Sequence, residues 1–242
     1  MIKDRIDSLS FIKKAVIVAN GPSTKDQDWD TIKKTSSKNT IFLACNRINL
    51  IFNSTSWRPD IYTCFATNAL QKSSWINSVD ACLSNKETTS FISNQFKKVS
   101  KLKQFHKNVV FCDNILEHHR NAPINKDFLN VDLSKGILKS YSATAPLFQI
   151  CDYLNVESIA IIGQDGYIFD EGENHFHEKY QDEPANYKKT NIRLKSLHSE
   201  FKRYFNKKKV KIYNSSPESI IQDIYEFVDL QKFAEKDLGQ VV

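Results

Sequence analysis

The sequence has little glycine and proline, six residues of each among 242, and no long apolar run. Apolar runs such as Ala15–Ala19 and Thr40–Cys45 fall far short of the roughly 20 residues of a membrane-spanning helix. The N-terminal sequence MIKDR also lacks the apolar stretch of a secretory signal. Because 40% of the residues are hydrophobic, the chain can still bury a core. These features exclude a collagen-like, low-complexity or membrane-spanning chain. We expect a cytoplasmic protein that could also bind peripherally to the inner membrane.

The sequence also lacks closely spaced cysteine pairs and contains few arginines. The five cysteines are an odd number without any CxxC pair, which argues against a disulfide framework or a cysteine-rich zinc site and favours reduced core thiols. Of the 34 basic residues only six are arginine, the side chain that base readout and bidentate phosphate binding favour. The net charge of +6 therefore points away from nucleic acid. The lysine-rich stretches have two interpretations: they are solvated helix faces, or they are surfaces that bind an acidic glycan or a membrane.

Short β-branched or aromatic runs alternate with helical patterns along the chain. The strand candidates are Ala15–Ala19, Thr40–Cys45, Ile61–Ala66, Thr88–Ile92, Asn108–Phe111, Ser158–Ile162 and Val210–Tyr213. The helix candidates are Asp26–Lys34, Ala69–Leu83, Asn94–Lys103, Ser142–Leu154, Ala185–Asn206 and Pro217–Phe227. Most strand candidates are continuously apolar, which is typical of parallel strands covered on both faces.

This alternation predicts an α/β fold with a single doubly wound, mainly parallel sheet, Rossmann-like, of about seven strands with helices on both faces. No repeat, linker or change in composition calls for a second domain. We assign residues 1–228 to one domain with a lid loop near residues 166–186. Residues 229–242 are left as a C-terminal tail or an oligomer contact.

In such a sheet the ligand lies beyond the carboxyl ends of the strands. Four of the six glycines follow strand candidates at this position: Gly21, Gly163, Gly166 and Gly172. Glycine permits positive φ and close backbone approach, so a chain that uses it rarely elsewhere marks these turns. We therefore expect the functional site at the turns after the first and sixth strand candidates.

The first turn is Asn20-Gly21-Pro22-Ser23, which leads into a helix pattern. Backbone N–H groups and the Ser23 hydroxyl near a helix N-terminus suit a phosphate or nucleotide. Asn46 and Asn68 follow the next two strand candidates, and three amides around one crevice can read a base or ribose. Each of these residues also fits an ordinary turn, and no GxGxxG fingerprint is present.

The second turn, Gly163-Gln164-Asp165-Gly166-Tyr167, opens a polar loop. Asp165 is placed to contact a sugar hydroxyl or to orient a base, and the Tyr167 and Tyr180 hydroxyls can neutralise a leaving phosphate. His175 or His177 is a candidate general base, because imidazole titrates near neutral pH.

The same loop leaves a metal site open as a second interpretation. The HxH pair with Asp165 and Glu178 nearby falls short of three firm ligands. Histidines without a role on the protein surface are a third interpretation.

Five motifs in this order carry a family resemblance: AVIVANGPS (15–23), ACN (44–46), Asn68, KSYSA (139–143) and IIGQDGY (161–167). They resemble the bacterial sialyltransferases of the Campylobacter type, glycosyltransferase family 42. They are also similar to the MptE-like, hydroxymethylpterin diphosphokinase-like proteins of polysaccharide biosynthesis. The resemblance runs discontinuously from Ala15 to about Ser219.

The resemblance implies roles for particular residues around a CMP-activated donor. The donor-binding residues would be Asn20, Gly21, Pro22, Ser23, Asn46, Asn68, Lys139, Ser142, Ala143, Gly163 and Tyr180. Asp165 would hold ribose or cytidine, Tyr167 the leaving phosphate, and His175 would be the general base on the acceptor hydroxyl. Lys139 stands where the family has arginine, and Ala143 where it has glycine. Only ten positions separate Asp165 from His175, fewer than in the sialyltransferases.

The function that the resemblance implies is an inverting, metal-independent glycosyltransferase without a required cofactor. It would move sialic acid or a related nonulosonic acid to a surface-glycan or glycolipid acceptor, as in lipopolysaccharide or capsule synthesis. The first alternative is a diphosphokinase or phosphotransferase that uses ATP and Mg²⁺, with Asp165 and Glu178 or His177 as ligands; the GxxxxGK[ST] motif is absent. The second is a non-catalytic nucleotide- or polyanion-binding module that docks through Lys202–Lys211. A homo-oligomer also remains open.

Overall fold

A computed structural model describes residues 11–66, 71–117, 136–139, 142–166, 174–180 and 187–235. For residues 114–117, 138, 139, 187 and 188 it describes the backbone alone.

Eight parallel strands form the central sheet. In chain order they are β1 (Lys14–Val18), β2 (Thr40–Cys45), β3 (Ile61–Cys64), β4 (Thr89–Ser93), β5 (Val109–Cys112), β8 (Ser158–Ile162), β9 (Lys211–Asn214) and β10 (Glu226–Phe227). Their spatial order is β10-β9-β8-β1-β2-β3-β4-β5, and all neighbouring pairs are parallel. All seven predicted strands are present, and the predicted single parallel α/β sheet is confirmed.

Three strands lie outside the prediction. β6 (Asn114–Glu117) and β7 (Ile137–Lys139) pair with each other as a separate two-stranded parallel sheet. β10 adds a two-residue edge to the main sheet. These strands are short, so neither apolar run length nor alternation distinguishes them from loops.

Helices cover both faces of the sheet, as predicted. They are α1 (Trp29–Thr35), α2 (Ser73–Leu83), α3 (Ala145–Tyr153), α4 (Tyr187–Lys207) and α5 (Leu230–Glu235). β1 sends Ala15 and Ile17 into a core with α3 and α4, and Val16 and Val18 into a second core with α1, α2 and α5. Every residue of β1 is buried, which explains why all four residues after Lys14 are apolar and do not alternate with polar residues.

Two predicted helices are wrong. Of Asn94–Lys103, only Asn94–Lys98 is helical, as a 3₁₀ segment. The buried Asp80 on α2 accepts hydrogen bonds from the Ser100 hydroxyl (2.6 Å) and the Lys101 N–H (2.9 Å), which draw the chain out of a helical path.

Pro217–Phe227 contains turns and then β10 in place of a helix. The Ser219 hydroxyl accepts from the Ile221 N–H (3.2 Å) and donates to the Gln164 carbonyl (2.7 Å), while the Ile220 N–H donates to the Asp165 carbonyl (3.1 Å). These bonds tie the segment to the turn after β8 in place of the i to i−4 bonds of a helix.

The stretch assigned to a C-terminal tail begins with helix α5, which buries Leu230, Phe233 and Ala234 against the sheet. The buried Lys14 on β1 donates from Nζ to the carbonyl oxygens of Phe233 (2.8 Å) and Ala234 (3.2 Å). A lysine ammonium against the last carbonyls of a helix satisfies acceptors that have no partner within the helix. Residues 230–235 are therefore part of the packed domain.

The five cysteines are free and buried, which confirms them as core thiols. Burial raises the pKa of Cys45 to about 12 and that of Cys64 to about 11, so both remain protonated at neutral pH. Within the described ranges, no helix combines the length and apolar character that a membrane span requires.

Candidate functional site

The turns after β1 and β8 meet at the centre of the sheet. β1 pairs with β2 on one side and with β8 on the other, so the order of strands reverses between β1 and β8. In open parallel sheets, ligands bind in the crevice at this reversal, beyond the carboxyl ends of the strands. The two turns that glycine marked in the sequence lie at this position.

Asp165 is the charged group at the centre of this junction, with 2% of its surface exposed. Its Oδ2 accepts the Ser23 N–H at 3.0 Å. Burial raises the pKa of the Asp165 carboxyl above its ordinary value of 3.8, and hydrogen bonds from Ser23 and Ser216 partly oppose the shift.

Gly21 and Gly163 allow the two turns to touch. The Gly21 N–H donates to the Gly163 carbonyl at 2.7 Å, and a Cβ on Gly21 would overlap the Asp165 carboxylate. Gly163 has φ +78°, and a Cβ there would overlap the Thr24 hydroxyl. Any larger residue at either position would therefore force the turns apart.

The expected phosphate cradle of the first turn is already occupied by the protein. The N–H groups of Gly21, Ser23 and Thr24 donate to Gly163, Asp165 and Gly21 respectively. The Ser23 hydroxyl lies 2.8 Å from that of Ser216 and accepts from the Gly163 N–H at 3.1 Å. Pro22 begins a three-residue 3₁₀ segment that ends at Thr24, and α1 begins only at Trp29. This turn therefore joins β1 to β8 and offers a phosphate none of these three N–H donors.

Asn20 links the ends of β1 and β2. Its Nδ2 donates to the Cys45 carbonyl at 3.2 Å, and its Oδ1 is buried without a hydrogen-bond partner in the described part of the chain. The Asp165 Oδ1 is also buried and lacks a partner there. Two unsatisfied acceptors at the carboxyl edge of the sheet are the kind of group that a bound ligand or water satisfies.

The loop at residues 174–180 covers this edge. The His175 Nδ1 lies 3.2 Å from the Asn20 carbonyl, to which the Phe176 N–H also donates at 3.1 Å. The His175 ring stacks on Tyr180 with centroids 4.0 Å apart. His177 accepts the Lys179 N–H at its Nδ1, and so supports its own loop. His175 is thus attached to the first turn through Asn20.

Asn46 lies between the second strand and this loop. It has φ +54°, a left-handed conformation that asparagine tolerates better than most residues. The Tyr62 hydroxyl donates to the Asn46 carbonyl at 2.5 Å, and the Asn46 Nδ2 lies 3.5 Å from the Tyr180 hydroxyl. The contacts therefore bring together four residues: Asn20, Asn46, His175 and Tyr180. The proximity of Asn20 and Asn46 agrees with the prediction that asparagines after neighbouring strands lie around one crevice.

Ser142 and Ala143 precede α3 beside the turn after β8. The Ser142 hydroxyl lies 2.6 Å from that of Thr144, which donates to the Gln164 Oε1 at 3.1 Å. Ala143 is half-buried against the core that contains α3 and α4. This contact brings the segment before α3 to the same crevice as Asp165.

Three predicted site residues are not positioned by these contacts. Asn68 and Tyr167 lie outside the described residues, as does most of the expected lid at residues 166–186. For Lys139 the backbone in β7 is described but the side chain is not. Across the described segments, no three His, Cys, Asp or Glu side chains form a cluster suited to a metal ion.

Arg47 and Ser216 are residues of the site that sequence reasoning missed. Arg47 is buried and donates from Nη1 to the carbonyl oxygens of Lys179 (2.6 Å) and Tyr180 (2.8 Å). Ser216, after β9, contacts Ser23 and accepts from the Gly163 N–H at 3.1 Å. Arg47 is one of six arginines and lies two residues after the strand candidate Thr40–Cys45, a signal that could have identified it. Ser216 directly precedes the predicted helix Pro217–Phe227, and no sequence signal connected this segment with the site.

Comparison with solved structures places this arrangement among glycosyltransferase folds. The sialyltransferase Cst-II in complex with CMP is 14% identical, with a TM-score of 0.50 over 90% of this chain and 88% of its own. The Maf glycosyltransferase from Magnetospirillum magneticum AMB-1 is 13% identical, with a TM-score of 0.56 over 90% of this chain but only 34% of its own. The chain has a sialyltransferase-like fold.

A further match is the monofunctional alpha-2,3-sialyltransferase Cst-I from Campylobacter jejuni, 15% identical with a TM-score of 0.49 over 91% of this chain and 82% of its own. No protein-family model matches the sequence, and no curated protein matches it. At these identities the comparison establishes the fold, and the residues of the crevice carry the functional argument.

Proposed function

We propose that this protein is a glycosyltransferase that moves sialic acid or a related nonulosonic acid from a CMP-activated donor to a glycan acceptor. The nucleotide would bind in the crevice between β1 and β8, and the reaction would invert the configuration of the sugar. The CMP named with the Cst-II structure supports this nucleotide class, because that protein shares the fold.

The observation that carries the proposal is the pair of buried acceptors at the strand reversal. Asn20 Oδ1 and Asp165 Oδ1 have no partner among the described residues. Buried oxygens without hydrogen bonds cost free energy, roughly 1–3 kcal/mol each, which donors on a ligand can recover. Cytidine and ribose carry amino and hydroxyl donors that suit these oxygens.

His175 is the proposed general base. With the proton on Nδ1, the ring donates to the Asn20 carbonyl and Nε2 becomes the nitrogen that accepts a proton. The acceptor hydroxyl would give its proton to Nε2 as its oxygen attacks the anomeric carbon and the bond from that carbon to CMP breaks. Asn20 thus connects the nucleotide side of the crevice to the base.

Metal independence is part of the proposal, since CMP leaves as a monophosphate that protein donors can stabilise. The N–H groups of Gly21, Ser23 and Thr24 are already hydrogen-bonded, so this role passes to other groups. Tyr167 remains the proposed donor for the leaving phosphate.

Incubation with CMP-activated nonulosonic acids and a panel of oligosaccharide acceptors, with release of CMP as the readout, tests the proposal. Transfer should proceed in EDTA, and His175→Ala should lower kcat by about 10²- to 10⁴-fold. The matched control is His177→Ala on the same loop, which should retain activity. Wild-type transfer by the His175→Ala variant, or transfer that requires Mg²⁺, would contradict this mechanism.

Thermal-shift and binding measurements distinguish the transferase from the two other functions that the sequence leaves open. Stabilisation by CMP without Mg²⁺ supports the transferase. Stabilisation by ATP with Mg²⁺ alone supports a diphosphokinase or phosphotransferase. Binding of a polyanion that salt abolishes, without turnover of any donor, supports a binding module.

A further inference from the structure

The Arg47 side chain binds backbone carbonyl groups of the loop at residues 174–180. The side chain is 4% exposed, and its Nη1 donates to two successive carbonyl oxygens, those of Lys179 and Tyr180. Its Nε donates to the Ser78 hydroxyl on α2 at 3.1 Å. One guanidinium therefore joins the end of β2, helix α2 and the loop.

The same guanidinium lies against two aromatic rings. It is 5.5 Å from the centroid of Trp75 and 5.9 Å from that of Tyr180, and these rings pack edge to face at 5.7 Å. Tyr180 in turn stacks on His175 at 4.0 Å with an interplanar angle of 29°. A continuous series of contacts thus runs from Arg47 through Tyr180 to the imidazole.

We propose that Arg47 is a positioning residue that fixes the ring of His175 through Tyr180. This inference rests on the proposed function, in which His175 is the general base. Arg47 holds the Tyr180 backbone through its carbonyl and the Tyr180 side chain through its ring, so the face on which His175 stacks is fixed at two points.

Lysine cannot replace arginine in this role. A planar guanidinium directs several N–H groups at once and stacks on aromatic rings, whereas an ammonium is a compact charge on a flexible stem. In an Arg47→Lys variant the charge remains but the simultaneous contacts with two carbonyls, Ser78 and two rings are lost. The variant thus separates loss of geometry from loss of charge.

The first test does not depend on activity. The ring current of Tyr180 shifts the ring protons of a stacked His175 upfield, so Arg47→Lys should move the His175 Cε1–H resonance downfield in a histidine-labelled sample. His175→Ala identifies this resonance among six histidines, and Tyr180→Leu gives its position without the stack. The matched control is Arg58→Lys, because Arg58 also donates to backbone carbonyls and stacks on Phe52 at 4.1 Å.

Limited trypsin digestion provides a second readout at the exposed Lys179, whose carbonyl Arg47 holds. Arg47→Lys should speed cleavage after Lys179 about tenfold, since a hydrogen bond to a charged group no longer opposes local opening. Arg58→Lys should leave the rate of this cleavage unchanged.

In the transfer assay, Arg47→Lys should lower kcat by about 10- to 100-fold and leave the donor KM within about twofold, because a misplaced base slows chemistry more than binding.

If Arg47→Lys does not fold, Ser78→Ala removes one of its acceptors and should shift the resonance and kcat in the same direction by smaller amounts. The inference is overturned if the His175 resonance and the Lys179 cleavage rate match the wild type, or if kcat and KM change without a shift of the resonance. A wild-type protein without transferase activity would refute the proposed function, while the resonance and cleavage rates would still report whether Arg47 positions His175.

Discussion

The Ser23 N–H donates to the buried Asp165 carboxylate at 3.0 Å, and this bond joins the turn after β1 to the turn after β8. Residues 142 positions apart thereby form one wall of the crevice. The same carboxylate occupies the space that a side chain at Gly21 would need. The packing of this junction and the shape of the candidate site are therefore inseparable.

Asp165→Asn should change the pH dependence of stability. The pKa of Asp165 is raised in the folded protein, so between pH 3.8 and that raised pKa the folded state binds more protons than the unfolded state. Wild-type stability therefore falls, relative to Asp165→Asn, as pH rises through this range, because asparagine still accepts from Ser23 but does not titrate. Urea unfolding from pH 3.5 to pH 7 measures this difference.

Asp223→Asn is the control of opposite sign for this measurement. The exposed Asp223 pairs with Lys195, which holds the pKa of the Asp223 carboxyl below its ordinary value. Its contribution to stability is therefore lost as pH falls. Parallel pH profiles for the wild type and Asp165→Asn would contradict the predicted role of burial.

Gly21→Ala should destabilise the protein by about 1–3 kcal/mol and weaken nucleotide binding together. The added Cβ would overlap the Asp165 carboxylate and lie 2.6 Å from the Gly163 carbonyl oxygen, so the two turns must separate. Urea unfolding and titration with CMP measure the two effects. Ser199→Ala on the exposed side of α4 is the control, and unchanged CMP affinity in Gly21→Ala would refute the link between the junction and the crevice.

Lys14→Met should weaken the attachment of helix α5 to the sheet. The variant removes two charge-assisted hydrogen bonds to the carbonyls of Phe233 and Ala234, at a cost of about 1.5–3 kcal/mol. Hydrogen exchange should lose protection selectively at residues 230–235. Lys13→Met is the adjacent control, because Lys13 forms an exposed ion pair with Glu157 that is worth at most about 1 kcal/mol. Equal effects of the two substitutions would contradict the assignment.

His198→Phe should make the protein more resistant to acid than the wild type. His198 is fully buried among Phe148, Phe201 and Tyr225, and burial lowers its pKa from 6.5 to about 3. Between these values the unfolded chain binds the extra proton, so stability falls as pH decreases below 6.5, by at most about 1.4 kcal/mol per pH unit.

The phenylalanine variant lacks this titration, and the Tyr225 hydroxyl keeps its bond to the carbonyl of residue 198 at 2.8 Å. Urea unfolding at pH 5 and pH 7 compares the two proteins. An equal loss of stability on acidification in both would show that His198 does not contribute.

Sequence patterns were sufficient to predict seven strands of the main sheet and the strand ends at which the candidate site lies. Continuous apolar runs can be buried only when both faces of a sheet are covered, and Val16 and Ile17 point into different cores. The scarcity of glycine made Gly21 and Gly163 visible, since each permits a close approach that another residue would block. These are local properties of a short segment, which explains why one sequence reveals them.

Which groups meet, and which donors remain for a ligand, depends on contacts between distant segments of the chain. Local sequence assigns the N–H groups of the first turn to a phosphate, but those of Gly21 and Ser23 donate to the second turn and that of Thr24 donates to the Gly21 carbonyl. His175 is held by the Asn20 carbonyl, and Arg47 reaches 132 positions along the chain to the Lys179 carbonyl. Such contacts depend on the order of strands in the sheet, and no local pattern of residues encodes that order.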